Sequence, residues 1–206
     1  MSFEGWLIFV AFWIIFVTTP GPNAANCIQN GMTFGFRRSL WGVLAILTQA
    51  TAFLLLSAAG VTALIVALPE VFFWVQLAGA ALLVFLGVRA WLNARNEVKM
   101  PGAAGSIYGR ALAIATINAK SLAGYLAAFS QFVQPDVAIW VQMQVIMPTA
   151  LTLTAISYVG YTALGAGLGR AALGAVFNTW VRRGLAACFV IYGALLGASA
   201  LPGRAA

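Results

Sequence analysis

Lys120 is the residue in this chain best placed to hold an anion. It lies ten positions beyond Arg110, about 15 Å of helix, and so near the centre of a bilayer whose surface Arg110 marks. An ammonium at that depth costs about 2.5 to 3.5 kcal/mol even on the lenient insertion scale, and it is too deep to snorkel to either surface. Glu4, Glu70, Glu97 and Asp136 all fall at the N-terminus or in connections, so no carboxylate of the chain shares its depth. Either desolvation holds the amine neutral, or a substrate carboxylate supplies the missing charge. The structural alternative is a lysine capped by backbone carbonyls or by Asn and Gln amides.

Two interruptions of apolar helix lie at the same depth, Thr19-Pro20-Gly21-Pro22-Asn23 and Asn118-Ala119-Lys120-Ser121. Pro20 and Pro22 lack backbone N–H groups, so the first helix must open there. Pro22 suits the first position of a new half-helix, and Asn118 suits an N-cap. Half-helices from about Asn23 to Met32 and from Ala119 to Val133 would run in opposite directions from the middle. Both would present free N–H groups and a partial positive charge to one central region, an arrangement that binds anions. Hydrocarbon cannot satisfy open backbone, so paired breaks imply a cavity, as in the substrate sites of transporters. Pro20, Gly21, Pro22, Asn23, Asn118, Ala119 and Lys120 are therefore the expected substrate-binding residues. Among other intramembrane polar residues, including Gln29 and Asn30, the candidates for lining the pocket are Asn26, Gln49, Tyr125 and Tyr158.

The elements that position these residues follow from composition. Of 206 residues, 63% are hydrophobic and 7% charged, which no water-facing globule carries. An all-α integral membrane protein is expected. Six apolar runs are long enough to cross about 30 Å of hydrocarbon: 3–32 (interrupted), 40–68, 71–92, 108–133 (interrupted), 139–168 and 184–201. Three crossings precede the polar, turn-rich connection 93–109 and three follow it, so the halves start from opposite sides. Residues 1–206 thus form one transmembrane domain of two inverted three-helix repeats, about 1–95 and 108–206, with helices 1 and 4 broken. Arg37, Arg38, Arg89, Arg95, Lys99, Arg110, Arg170, Arg182 and Arg183 cluster in alternate connections. Those connections are cytoplasmic by the positive-inside rule, and both termini face outward.

The net charge of +7 is thereby an orientation signal with anionic lipid as its neighbour, and nucleic acid is not an expected partner. The chain has no His, no intramembrane carboxylate pair and no metal-ligand or phosphate-loop pattern, so an enzyme is not expected and no cofactor is implied. Cys27 and Cys188 form no CxxC pair and read as buried thiols. Gly79 and Gly87, Gly165 and Gly169, and Gly193 and Gly197 allow close helix approach; packing within one bundle is preferred over a dimer face, with a homo-oligomer left open. Phe177, Trp180, Arg182 and Arg183 read as an interfacial anchor without chemistry. The N-terminus has no basic segment before its apolar run and is expected to be a retained helix.

Pro20-Gly21-Pro22-Asn23, the Arg37-Arg38 pair and Asn118-Ala119-Lys120 together resemble the lysine exporter (LysE/RhtB) family of bacterial amino-acid efflux proteins, over nearly the whole chain. The resemblance implies a six-span inner-membrane exporter that moves an amino acid or a close derivative outward against proton uptake. The family's Asn-Pro-Lys element falls on Asn118, Ala119 and Lys120, with alanine in place of proline. Many members also carry an acidic residue in the second span, where this chain has Gln49 and threonines. That difference weakens the case for a cationic substrate side chain and for the usual proton relay.

The expected function is export of an amino acid or derivative by alternating access, with proton coupling, across the bacterial inner membrane. The substrate carboxylate would rest after Pro22 and Asn118, beside Lys120. Two other readings remain: a membrane thiol or electron carrier using Cys27, and a non-transporting structural subunit.

Overall fold

The computed structural model describes residues 2–67, 69–96, 106–134 and 136–200, with side chains for all of these except 61–67, 69–73, 75, 76, 119, 122, 123, 199 and 200. The expected seam between repeats lies mostly outside the described residues, as do Glu97, Lys99 and Arg204.

Helix α1 (Phe3–Thr18) starts at Ser2, whose hydroxyl accepts from Gly5 N at 3.1 Å, and carries Glu4 in its positively polarised first turn. It stops at Thr19, which is extended (φ −66°, ψ 118°) because the following Pro20 disfavours helical geometry there. Helix α2 (Pro22–Ala67) begins three residues later. It bends at Gly35, whose φ of 74° only glycine adopts without strain. A connection from residue 33 to 39 was expected between the first two apolar runs. Instead the chain turns on Gly35 and resumes helix at once, so Arg37 and Arg38 are helical and exposed.

Helix α3 (Pro69–Leu92) ends in a 3-10 turn over Asn93–Arg95. Helix α4 (Ile107–Ile117) is capped by Ser106, whose hydroxyl accepts from Gly109 N at 3.0 Å, and α5 (Ala119–Phe132) follows after a single extended residue, Asn118. Then come α6 (Ile139–Leu168), α7 (Arg170–Val176) and α8 (Thr179–Ala200). Among the described residues every regular element is helical.

Four of these helices are long and apolar enough to cross a membrane singly, within 22–60, 77–95, 139–168 and 179–198. The two interrupted runs are divided among shorter pieces. Helix α1 has 16 residues, α4 has 11 and α5 has 14, each below the roughly 20 that hydrocarbon demands. The last run also starts earlier than expected. Trp180, Arg182 and Arg183, expected as a separate interfacial stretch, belong to α8. Arg182 donates to the carbonyls of Asn93, Ala94 and Asn96 at 2.8 to 2.9 Å, and so ties α8 to the end of α3. The Arg183 guanidinium lies 5.2 Å from the Trp91 ring centroid and 5.8 Å from that of Trp180.

Close approaches hold the bundle together. A Cβ on Gly31 would lie 2.3 Å from Thr162 O, and one on Gly165 would lie 2.2 Å from Ile28 O, so these two glycines set the α2–α6 crossing. Gly87 and Gly193 do the same for α3 and α8. Gly87, Gly165 and Gly193 are thus packed within one chain, whereas a Cβ on Gly169 would meet nothing within 4 Å. Around α1, a cluster of Phe9, Phe12, Trp13, Phe16, Tyr125 and Phe132 fills the interior on one side of both breaks through edge and tilted ring contacts.

Candidate functional site

The first break exposes the carbonyl end of α1 and the N–H end of α2. Val17 O accepts from Ser157 Oγ at 3.1 Å, Thr18 O from the Tyr161 hydroxyl at 2.5 Å, and Thr19 O from Lys120 Nζ at 2.6 Å. Two of these donors come from α6 and the third from α5, so the orphan carbonyls of the helix end are satisfied by side chains from elsewhere in the chain. On the other strand of the break, Ala25 N returns to Gly21 O at 3.0 Å and starts α2.

The second break needs no proline. Asn118 is extended (φ −71°, ψ 105°), and its side-chain oxygen accepts from Lys120 N at 3.1 Å, capping α5. Lys120 therefore sits in the first turn of α5 and reaches across to the first break. Its alkyl stem runs beside Gly21, where a Cβ would lie 3.8 Å from Lys120 Cδ. Its ammonium stands 5.2 Å from the Phe16 ring centroid.

A cavity of about 580 Å³ opens from these breaks. Thr19, Pro20, Gly21, Pro22, Asn118 and Lys120 form its floor. Its walls are apolar, including Leu86, Ala90, Ile114 and Phe189, and Arg89, Asn93 and Arg182 also border it. No carboxylate lines it among the described residues. Beyond Lys120 lies a second, much smaller chamber of about 10 Å³, bordered by Asn23, Gln49, Ser121, Tyr125 and Tyr158. Lys120 and Asn118 border both spaces, so they form the partition.

A family model described as LysE type translocator matches residues 14–200. The chain belongs to the LysE family. An uncharacterized membrane protein of Vibrio cholerae is 31% identical to it over 177 residues, covering 82% of this chain and 85% of the relative. The homoserine/homoserine lactone efflux protein of Salmonella typhimurium is 23% identical, over 97% and 98% of the two chains. The leucine efflux protein of an Enterobacter species is 28% identical, over 73% of each. No solved structure matches. The LysE chain is thus a multi-pass membrane protein whose named relatives are efflux proteins.

The structure brings most of the expected residues of this LysE protein together and separates others. Pro20, Gly21, Pro22, Asn118 and Lys120 meet at the floor of the open cavity. Ala119 is the first residue of α5, and its side chain lies outside the described set. Asn23, Gln49, Tyr125 and Tyr158 line the closed chamber instead. Asn26 borders neither space; it is fully buried one turn further along α2. Sequence reasoning missed Tyr161, whose hydroxyl satisfies Thr18 O, and it read Arg89 as an orientation signal and Arg182 as an orientation signal and interfacial anchor, neither as a residue bordering a cavity. The apolar wall residues gave no signal, because a leucine facing a cavity reads like one facing lipid.

Proposed function

We propose that this protein exports an amino acid, or a close derivative, across the bacterial inner membrane. The observation that carries this reading is the bond from Lys120 Nζ to Thr19 O at the floor of the cavity. It gathers in one place a cation, two helix N-termini and the carbonyl end of α1. A zwitterion needs that set: the N-terminal turns after Pro22 and Asn118, beside Lys120, suit a carboxylate, and the carbonyl end of α1 suits an ammonium. The apolar walls and the lack of a lining carboxylate among the described residues favour a neutral side chain over a cationic one.

The ammonium of Lys120 occupies the acceptor that a substrate ammonium would take. The two compete, and export coupled to proton uptake follows if the displaced lysine gives up its proton. The site then carries a substrate outward and, on the return, a proton inward. With the basic residues cytoplasmic and both termini outside, the cavity faces the cytoplasm and the aromatic cluster closes the outer side. Movement of one inverted three-helix repeat against the other would open that side, as alternating access requires. On this reading α1 with the start of α2, and α4 with α5, make the two broken spans.

Counterflow in proteoliposomes, with a panel of labelled amino acids, tests the proposal. Accumulation of a neutral amino acid supports it; no trans-stimulated uptake of any member of the panel overturns it. The thiol-carrier reading rests on Cys27 alone, and Cys27→Ser with full counterflow would dismiss it.

A further inference from the structure

We propose that the first half of α2 lines a file of bound water that runs from the closed chamber at Lys120 to Arg110, apart from the open cavity. Asn23, Asn26 and Asn30 stand at i, i+3 and i+7, on one face of the helix, and are 3%, 0% and 0% exposed. Asn23 Oδ1, both amide atoms of Asn26, Asn30 Nδ2 and Gln49 Nε2 are buried without a hydrogen-bond partner among the described residues. Asn26, which borders neither described space, decides what meets these atoms. Exchanging its amide O and N leaves one donor and one acceptor open in either orientation. A cation would satisfy only the oxygen and an anion only the nitrogen, whereas water satisfies both.

The ends of the file are fixed. At one end, the chamber of about 10 Å³ has room for about one water molecule and is bordered by Asn23 and Gln49. At the other, Arg110 Nη2 donates to Asn30 Oδ1. Asn23 and Asn30 are about 10 Å apart along the helix, a span that a few waters bridge. The titratable groups that meet this route are Lys120, Tyr125 and Tyr158 at the chamber, buried Cys27 beside Asn26 on α2, and Arg110 at its far end. The guanidinium repels hydronium, so the file admits water while resisting proton leakage, as arginines in water pores do. It hydrates the ammonium of Lys120 from the chamber side when solute fills the cavity. The inference stands on buried polar atoms and holds whether or not the chain exports amino acids.

X-ray radiolytic hydroxyl labelling of the full chain in liposomes, read by mass spectrometry, tests it, because bound water labels neighbouring side chains that bulk reagents cannot reach. Tyr158, which borders the chamber, should be labelled several-fold more than buried Phe9 of the aromatic cluster after correction for intrinsic reactivity. Asn26→Leu should lower that labelling several-fold, and Asn26→Ser, which keeps a donor and an acceptor, should retain it. In a Cys188→Ser background, buried Cys27, next to Asn26, should resist an ethylammonium methanethiosulfonate. Labelling of Tyr158 no higher than that of Phe9 in the wild type, or unchanged in Asn26→Leu, would overturn the proposal. So would rapid modification of Cys27, which would mark a passage wide enough for solute.

Discussion

Lys120 Nζ donates to Thr19 O at 2.6 Å across 101 residues of sequence, and this bond joins the two breaks. Each break leaves backbone groups that lipid cannot satisfy. The lysine meets part of that need at the first break while its own backbone N–H is held by the Asn118 cap at the second. One residue thus serves both breaks at once.

Tyr161→Phe should destabilise the protein. The hydroxyl that it removes donates to Thr18 O at 2.5 Å in a part-buried position, and a carbonyl left without its partner there costs about 1 kcal/mol. Thermal unfolding in detergent should show a lower midpoint, with the helix content of the folded state unchanged. An unchanged midpoint would mean that water takes over the carbonyl.

Asn118→Ala should cost about 1 kcal/mol through loss of the α5 cap. Ala119→Pro, by contrast, should be tolerated within about 0.5 kcal/mol. Residue 119 is the first of α5, where proline's missing N–H is no loss and its fixed φ suits the helix. The same proline at Ala128, mid-helix, should prevent folding. Thermal melts of the first two variants, with no folded protein recovered from the third, check the local geometry of the second break.

Gly31→Ala and Gly165→Ala should each destabilise by about 1 to 3 kcal/mol, as overpacking of a tight interface does. Both would drive a methyl group into backbone of the facing helix, at 2.3 and 2.2 Å. Gly167→Ala, with nothing within 4 Å of its Cβ, should be neutral or slightly stabilising. Size-exclusion profiles and melting points separate the two classes.

The breaks were legible in the sequence because Pro20, Pro22 and Asn118 act on their own backbone, through local geometry that needs no partner. The place of Lys120 in the first turn after the second break was legible for the same reason, since it follows from the Asn118 cap. The acceptor of Lys120 was not, because pairing residue 120 with residue 19 depends on how helices far apart in sequence pack. Asn26 shows the limit most clearly. Its type marked it for a cavity, but its facing follows from the α2–α6 crossing at Gly31 and Gly165, and it is buried away from both spaces. Gly35 hid a bend where a longer connection was expected, because a single left-handed glycine turns the chain without a polar loop.

The central claim is that the Lys120 ammonium and the substrate ammonium share the carbonyl end of α1, and proton-driven counterflow in proteoliposomes tests it most directly. With a neutral amino acid that the wild type carries, Lys120→Met should lose at least about tenfold of the stimulation by an inward proton gradient, and Lys120→Arg, which stays charged, should lose it as well. If Lys120→Met kept wild-type transport with the same dependence on the gradient, the lysine would only be a tie between two helices and the account would fail.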